Sequence, residues 1–575
     1  MTTIAESIVS ALADHGITQT WGVVGDALNP ITDAIRHDER IDWVGVRHEE
    51  TAAFAVGAQA QVTGRLGVCM GTVGPGAVHL LNGLYDAKKS HAPVLAILGQ
   101  VPVPEIGSEF FQEVDNHRLF ADVAVFSRTI TDPEQMPLLL EQAVNAAYAG
   151  PGVAVLTVPG DMGTQKLPKG SRDPVIAPPA SPASADEASV DAARAVLREA
   201  ERVTLLVGIG AQRARGPVLE LAERLQAPMV VTLKGKDTFD EDNPFEVGQS
   251  GLIGNPAAQQ AFEECDVLLM IGTDFPYREW YPEGKTVIQI DRRQAHIGRR
   301  TAVQHAMVGD AGATVRSLLD GDLPARADTT HRDRAVRRYE SWQSDQKRLV
   351  DPDHDEDSLL GKVRSVFDNP ESLIRPEVVA AALDRRAAGD AVFTSDTGMS
   401  TVWLSRFVRM TGGRRLLGSF NLGSMANALP QALGAQALDR RRQVISCSGD
   451  GGLMMLLGDL RTAVTYRLPV KVLVFDNGRL GMVKLEQEQG GLPEFGTELD
   501  NPDLARVAEA MGLRARSVAD PDAVDSAVTW LLEQDGPALL DVRTNPEEIS
   551  LPPRSTVGQG WGFAIAKVTE NLPLD

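Results

Sequence analysis

The chain has 575 residues, too many for a single hydrophobic core, and its length predicts about three domains. Its 43% hydrophobic and 23% charged residues are ordinary for a globular protein, and 56 Lys+Arg against 78 Asp+Glu give a net charge of −22, which argues against a nucleic-acid partner. No apolar run reaches membrane-spanning length, and the first residues have neither the basic n-region nor the apolar core of a signal peptide. Cys69, Cys265 and Cys447 are widely spaced and form no C-x-x-C pair. Buried free thiols in a reducing, cytoplasmic setting are therefore expected.

Short β-rich apolar runs alternate with helical patterns along the whole chain, which predicts parallel α/β architecture. Residues 20–24, 67–70, 94–98 and 153–158 read as strands, and 49–60 as an Ala-rich helix. A Pro/Ala/Ser stretch over 174–186 reads as an exposed linker. A second set of strands follows at 203–207, 229–232, 267–271 and 287–290. The polar, acid-rich stretch 338–370, with its run of acids at 351–357, reads as a surface excursion or linker. A third set occupies 391–394, 444–447, 470–475 and 538–542, so the first and last thirds are expected to be similar sheets flanking a middle domain.

The strongest chemical signal is Gly449-Asp450-Gly451-Gly452, at the end of one apolar strand, with Asp476-Asn477-Gly478 at the end of the next. One strand–helix–strand unit would bring Asp450 and Asn477, 27 positions apart, to the same sheet edge. A carboxylate, an amide oxygen and a nearby carbonyl are hard ligands suited to Mg²⁺ carrying a diphosphate, and the glycines allow close approach of backbone to phosphate. Three further features are more ambiguous alone. Glu49 could simply be a helix-start acid favoured by the dipole. Met425 could be core filler. Asp291, at a strand end, could bind ribose or cap the next helix. Gly208-Ile-Gly210 is only a partial dinucleotide motif. His79, His91 and His117 are assigned only polar roles near the site.

Asp450 and Asn477 match the fingerprint of thiamine diphosphate enzymes, with Asp476 standing where that pattern has a first Asn. Segments 47–50, 71–76, 111–113, 232–236, 273–277, 417–421 and 423–430 extend the match over nearly the whole chain. The sequence thus resembles the thiamine diphosphate- and FAD-dependent pyruvate oxidase family, most closely its pyruvate:quinone oxidoreductases. The resemblance implies an α/β fold of three domains with parallel sheets: a pyrimidine-binding domain (1–175), a Rossmann-like FAD domain (186–340) and a diphosphate- and Mg²⁺-binding domain (341–575, with 341–372 an acidic linker or insert). It implies a homotetramer in which the coenzyme lies between the first domain of one subunit and the third of another.

Residue by residue, the resemblance implies Mg²⁺ binding by Asp450, Asn477 and the Arg479 carbonyl. It implies coenzyme contacts from Gly423, Ser424, Met425, Asp450, Gly451, Gly452, Asn477, Gly478, Arg479, Leu480 and Gly481. Ser250, Gly251, Leu252, Ile253, Thr273, Asp274, Phe275, Pro276, Tyr277 and Asp291 are expected at FAD. Glu49 is expected to activate the coenzyme through N1′ of its aminopyrimidine, a task that calls for a carboxyl in an apolar pocket. Phe111, Gln112, Met482, Val483 and Glu486 are expected around the substrate. The implied reaction is oxidative decarboxylation of pyruvate to acetate and CO₂ through a hydroxyethyl carbanion, with electrons passed to FAD and then to a quinone.

Met482 replaces a Phe of quinone-linked members, and Gly481-Met482-Val483 also occurs in acetohydroxyacid synthases. A carboligase of that type with inert FAD, and an O₂-using oxidase, therefore stay open as alternatives; Glu486 and segment 111–113 favour the oxidase. The chain stops soon after Trp561-Gly562-Phe563 and is expected to lack most of the amphipathic tail that docks quinone-linked members on the inner membrane. A cytoplasmic location, with peripheral membrane association as the family alternative, follows.

Overall fold

The computed structural model describes residues 2–177, 181–351 and 373–548. Most of the acidic run 351–357 and the C-terminal segment containing Trp561 lie outside them. The described residues build three sheets whose strands all pair in parallel. The first holds β1 (Gln19–Gly22), β2 (Asp42–Gly45), β3 (Gly67–Gly71), β4 (Val94–Gln100), β5 (Ala124–Thr129) and β6 (Val153–Pro159), in the order β2-β1-β3-β4-β6-β5. The last holds β12 (Val392–Ser395), β13 (Arg415–Gly418), β14 (Val444–Gly449), β15 (Lys471–Asp476), β16 (Arg514–Val518) and β17 (Ala538–Arg543), in the order β13-β12-β14-β15-β17-β16. Numbered within each sheet, the two orders are the same permutation, as expected for similar flanking domains. Strands buried at every position, such as β4 and β6, read as unbroken apolar runs because helices cover both faces.

The middle sheet contains β7 (Val203–Val207), β8 (Met229–Val231), β9 (Val267–Ile271), β10 (Thr286–Asp291) and β11 (His305–Val308), ordered β8-β7-β9-β10-β11. Only its second strand lies outside its first. The order is 2-1-3-4-5, a doubly wound parallel sheet of the same general class as the Rossmann sheet, whose strands begin 3-2-1-4-5. The start of the polar stretch 338–370 is helical. A helix runs over Thr330–Lys347, straight through the boundary expected at residue 340. It packs His331 and Ala335 inward, and Arg334 and Arg338 pair with Glu264 of the neighbouring Pro256–Glu264 helix. The high polarity of the segment masks a narrow apolar stripe.

The first and last domains meet through two Ala-rich helices, Glu49–Thr63 and Ala428–Leu438, which occupy equivalent crossovers of their sheets. Both are buried almost all round, so neither is amphipathic. Ala52, Ala55, Val56, Leu429, Ala432 and Leu433 share one core. Gly434 permits the approach: a Cβ there would stand 2.2 Å from the Ala55 carbonyl oxygen. Gly434→Ala is therefore expected to cost about 1–3 kcal/mol, seen as a lower denaturation midpoint, because backbone must move to admit the methyl. An unchanged midpoint would mean that the two helices separate freely.

All three domains converge at Asp274. Its carboxylate accepts from Lys234 at 3.0 Å and from Asn421 of the last domain, and it lies 3.8 Å from His91 of the first. The three cysteines are buried and free. Among the described residues no helix is long and apolar enough to cross a membrane.

Candidate functional site

β14 and β15 are adjacent, with Gly449 opposite Phe475, so the residues that follow them emerge side by side. Asp450 opens a short helix and Asn477 begins the turn after β15. An open cleft lies over this edge. Asp450, Gly451, Gly452, Asn477, Arg479, Leu480, Gly481, Met482 and Val483 line it together with Met425. Gly423, Ser424, Gly478 and Glu486 do not line it. The Arg479 guanidinium is drawn away to Glu494 (2.5 Å) and Glu498 (3.1 Å). Close packing explains one glycine: a Cβ on Gly452 would fall 2.3 Å from Asp396 Oδ2.

The electrostatics of this edge are poised for a cation. Burial, and then the Asp476 carboxylate beside it, push Asp450 up to about 7. One amide, Asn501 Nδ2, donates to Asp450 Oδ2 at 2.6 Å and to Asp476 Oδ1 at 3.3 Å. Asp396, from the end of β12, is also pushed up to about 7 by burial, and its Oδ2 has no hydrogen-bond partner.

Glu49, Phe111 and Gln112 lie elsewhere. Glu49 is buried at the start of its helix, where Oε2 stands 2.9 Å from His79 Nδ1 and His79 stacks on His48 at 4.4 Å. The 71–76 turn abuts it, with Glu49 Oε1 3.1 Å from where a Cβ on Gly76 would stand. Gly74, at φ +67°, is pressed against Gln112, whose carbonyl would lie 2.7 Å from a Cβ there. Gln112 and Ala426, both non-glycine, hold φ of 65° and 68°, strain of roughly 1–3 kcal/mol each that such loops store at functional sites. Phe111 is 80% exposed, and no first-domain residue lines the described cleft. Within one chain the Glu49 region and the cleft are thus lined by separate residues. His117 is exposed and does not line the cleft.

In the middle domain, Thr273 and Asp274 border a smaller cleft with Gln289, His296, Arg299 and Arg300. Gly251 (φ +92°) packs against Phe275 and Tyr277, with Ser250 buried and Leu252 half exposed. Pro276 sits in the same turn. Asp291 Oδ1 accepts from Arg293 N at 2.9 Å, a bond within its own turn that suits the capping alternative.

Comparison with known proteins decides the family. Residues 2–119 match the thiamine pyrophosphate enzyme N-terminal TPP binding domain, 190–318 the central domain and 396–542 the C-terminal TPP binding domain. The chain belongs to the thiamine pyrophosphate enzyme family. YdaP of Bacillus subtilis (strain 168) is 36% identical over 98% of this chain and 95% of its own. Acetolactate synthase isozyme 2 large subunit of Escherichia coli (strain K12) is 31% identical over 94% and 95%. Pyruvate oxidase of Lactiplantibacillus plantarum is 29% identical over 93% and 87%.

In this thiamine pyrophosphate enzyme the donor set suits a diphosphate held through a cation. Asp450, the Asn477 amide oxygen and the Arg479 carbonyl are hard oxygens, and the crowding of Asp450 by Asp476 is what a divalent ion would relieve. Among the described residues no cluster of three His, Cys, Asp or Glu side chains could hold a metal. The candidate set needs only one carboxylate. Asp396, Asn501, Thr544 and Asn545 also belong to this edge and were not singled out from the sequence. Only the strand-end rule, applied to β12 and β17 as it was to β14 and β15, could have found Asp396 and Thr544.

Proposed function

We propose that the protein oxidatively decarboxylates pyruvate to acetate and CO₂, passing electrons to FAD in the middle domain and from there to a quinone. One observation carries the reading: a single helix, Gly481–Gln489, serves the cleft and the middle domain together. Met482 lines the cleft and packs in the same core as Ile253 and Leu233. One turn on, Glu486 faces Tyr277, whose phenol is pushed up by burial and by Glu279 and Glu486. When bound, thiamine diphosphate supplies a carbon nucleophile and electron sink, and FAD a two-electron acceptor.

The chain's own residues do the rest. Asp450, Asn477 and the Arg479 carbonyl would hold Mg²⁺, and Met425 in the cleft lining would brace the coenzyme. With Glu49 Oε2 beside His79 Nδ1, Oε1 would be the oxygen to exchange a proton with the aminopyrimidine. A second copy, within a homotetramer, would bring Glu49, Phe111 and Gln112 over the cleft. The exposure of Phe111 supports that arrangement.

Kinship with acetolactate synthases at 31% identity, together with Met482 in the cleft, supports a second reading as a carboligase with structural FAD. Anaerobic mixing with pyruvate separates the two. Flavin bleaching that recovers with quinone is the expected result. Acetolactate formed without bleaching would establish the carboligase, and recovery with air alone an O₂-using oxidase.

A further inference from the structure

We infer that Asp476 is a positioning residue for the cation site: with Asn501 and Arg543 it sets how tightly Asp450 holds a divalent ion. The inference rests on the cation–diphosphate reading above and concerns the residue that stands where the thiamine diphosphate fingerprint has its first Asn.

Asp476 is the last residue of β15 and is 2% exposed. Parallel register sets it opposite Arg543 of β17, and Arg543 Nη1 reaches its Oδ2 at 2.7 Å. Its Oδ1 accepts from Gly478 N at 3.2 Å and from Asn501 Nδ2 at 3.3 Å. That same Asn501 nitrogen holds Asp450 Oδ2 at 2.6 Å. Asp476 thus acts on the candidate ligand in two ways: through the shared amide, which orients Asp450, and through its charge.

The charge balance beneath the site is specific. Arg543 also lies 3.4 Å from Asp541, so one guanidinium serves two carboxylates and a surplus negative charge remains under Asp450. An Asn at 476 would remove that surplus and leave Arg543 less neutralised behind the cation. It could also turn an NH₂ toward a guanidinium that only donates. The acid at 476 and the base at 543 are therefore a matched pair.

The test uses full-length protein stripped of coenzyme and metal. Mg²⁺ is titrated at saturating thiamine diphosphate, with tryptophan fluorescence reporting through Trp403 in the cleft wall, and melting is followed with and without Mg²⁺. For Asp476→Asn the half-saturating Mg²⁺ is expected to rise about tenfold or more, the scale for an outer-shell partner. Arg543→Met is expected to move it the other way, since both carboxylates lose their neutralising partner, while the metal-free protein melts lower. An Asp476→Asn affinity within twofold of wild type overturns the inference. So does equal weakening by both variants, which would mark a merely structural role. If Asp476→Asn does not fold, Arg543→Met decides alone by its sign. A wild-type protein blind to Mg²⁺ would instead remove the cation reading, and this inference with it.

Discussion

Glu49→Gln is expected to lower pyruvate turnover at least a hundredfold while leaving the fold and the flavin content unchanged. The substitution is isosteric, and its amide oxygen can keep the 2.9 Å contact with His79 Nδ1. Burial of the side chain at the start of the Glu49–Thr63 helix is also unaffected. An amide, however, cannot carry a proton to and from the aminopyrimidine. Positioned acid–base groups contribute roughly 10²–10⁴ in rate, and the whole of that is lost. Steady-state turnover, flavin absorbance and the melting midpoint, taken on one preparation, check the claim. Turnover within tenfold of wild type would remove Glu49 from the mechanism. A coincident loss of flavin would instead point to a structural role for the first domain's packing against the last.

What the sequence made legible follows from locality. Asp450 and Asn477 were readable because a single crossover fixes their separation, and the Gly449–Phe475 register then sets them together. Glu49 opens its helix as the Ala-rich pattern predicts, whereas a role beside a coenzyme came only from the family resemblance. Asp396, Asn501, Thr544 and Asn545 were not readable, since they reach the same edge from other strand ends and loops and carry no shared spacing. Strands β2, β5, β13 and β16 escaped for a different reason. All four are edge strands, and β16 begins with an exposed Arg514 and is mostly accessible, so its apolar pattern is too weak to register. The Thr330–Lys347 helix escaped because its Arg-rich face outweighs the few residues it buries. The deepest limit is that periodicity and spacing describe one chain, whereas the proposed arrangement of Glu49 over Asp450 would draw on a second copy.

The other large effect concerns Asp450, where stability and function are expected to move in opposite directions. Its carboxyl is pushed up to about 7 in the folded protein, first by burial and then by Asp476, whereas an unfolded Asp titrates near 3.9. Between those values the native state holds a proton that the unfolded state has released, so the metal-free protein loses stability as pH rises through this window and is least favoured above it. The full effect is of the order of 4 kcal/mol, at about 1.4 kcal/mol for each tenfold change in proton affinity. Asp450→Asn removes the penalty. Metal-free Asp450→Asn should therefore melt higher than wild type at pH 8, with a flatter profile between pH 4 and 7. Mg²⁺-dependent coenzyme binding should fall by more than the roughly 10- to 100-fold that an outer-shell change costs, because a direct ligand is gone. In wild type, added Mg²⁺ with thiamine diphosphate should stabilise more at pH 8 than at pH 5, since the ion competes with the proton for the same oxygen. If Asp450→Asn melts below wild type at pH 8 without metal, the carboxylate is already satisfied by its neighbours and is not held in reserve for a cation. The trade is the one expected of a binding residue: a charge kept under strain in the empty protein because its relief belongs to the ligand.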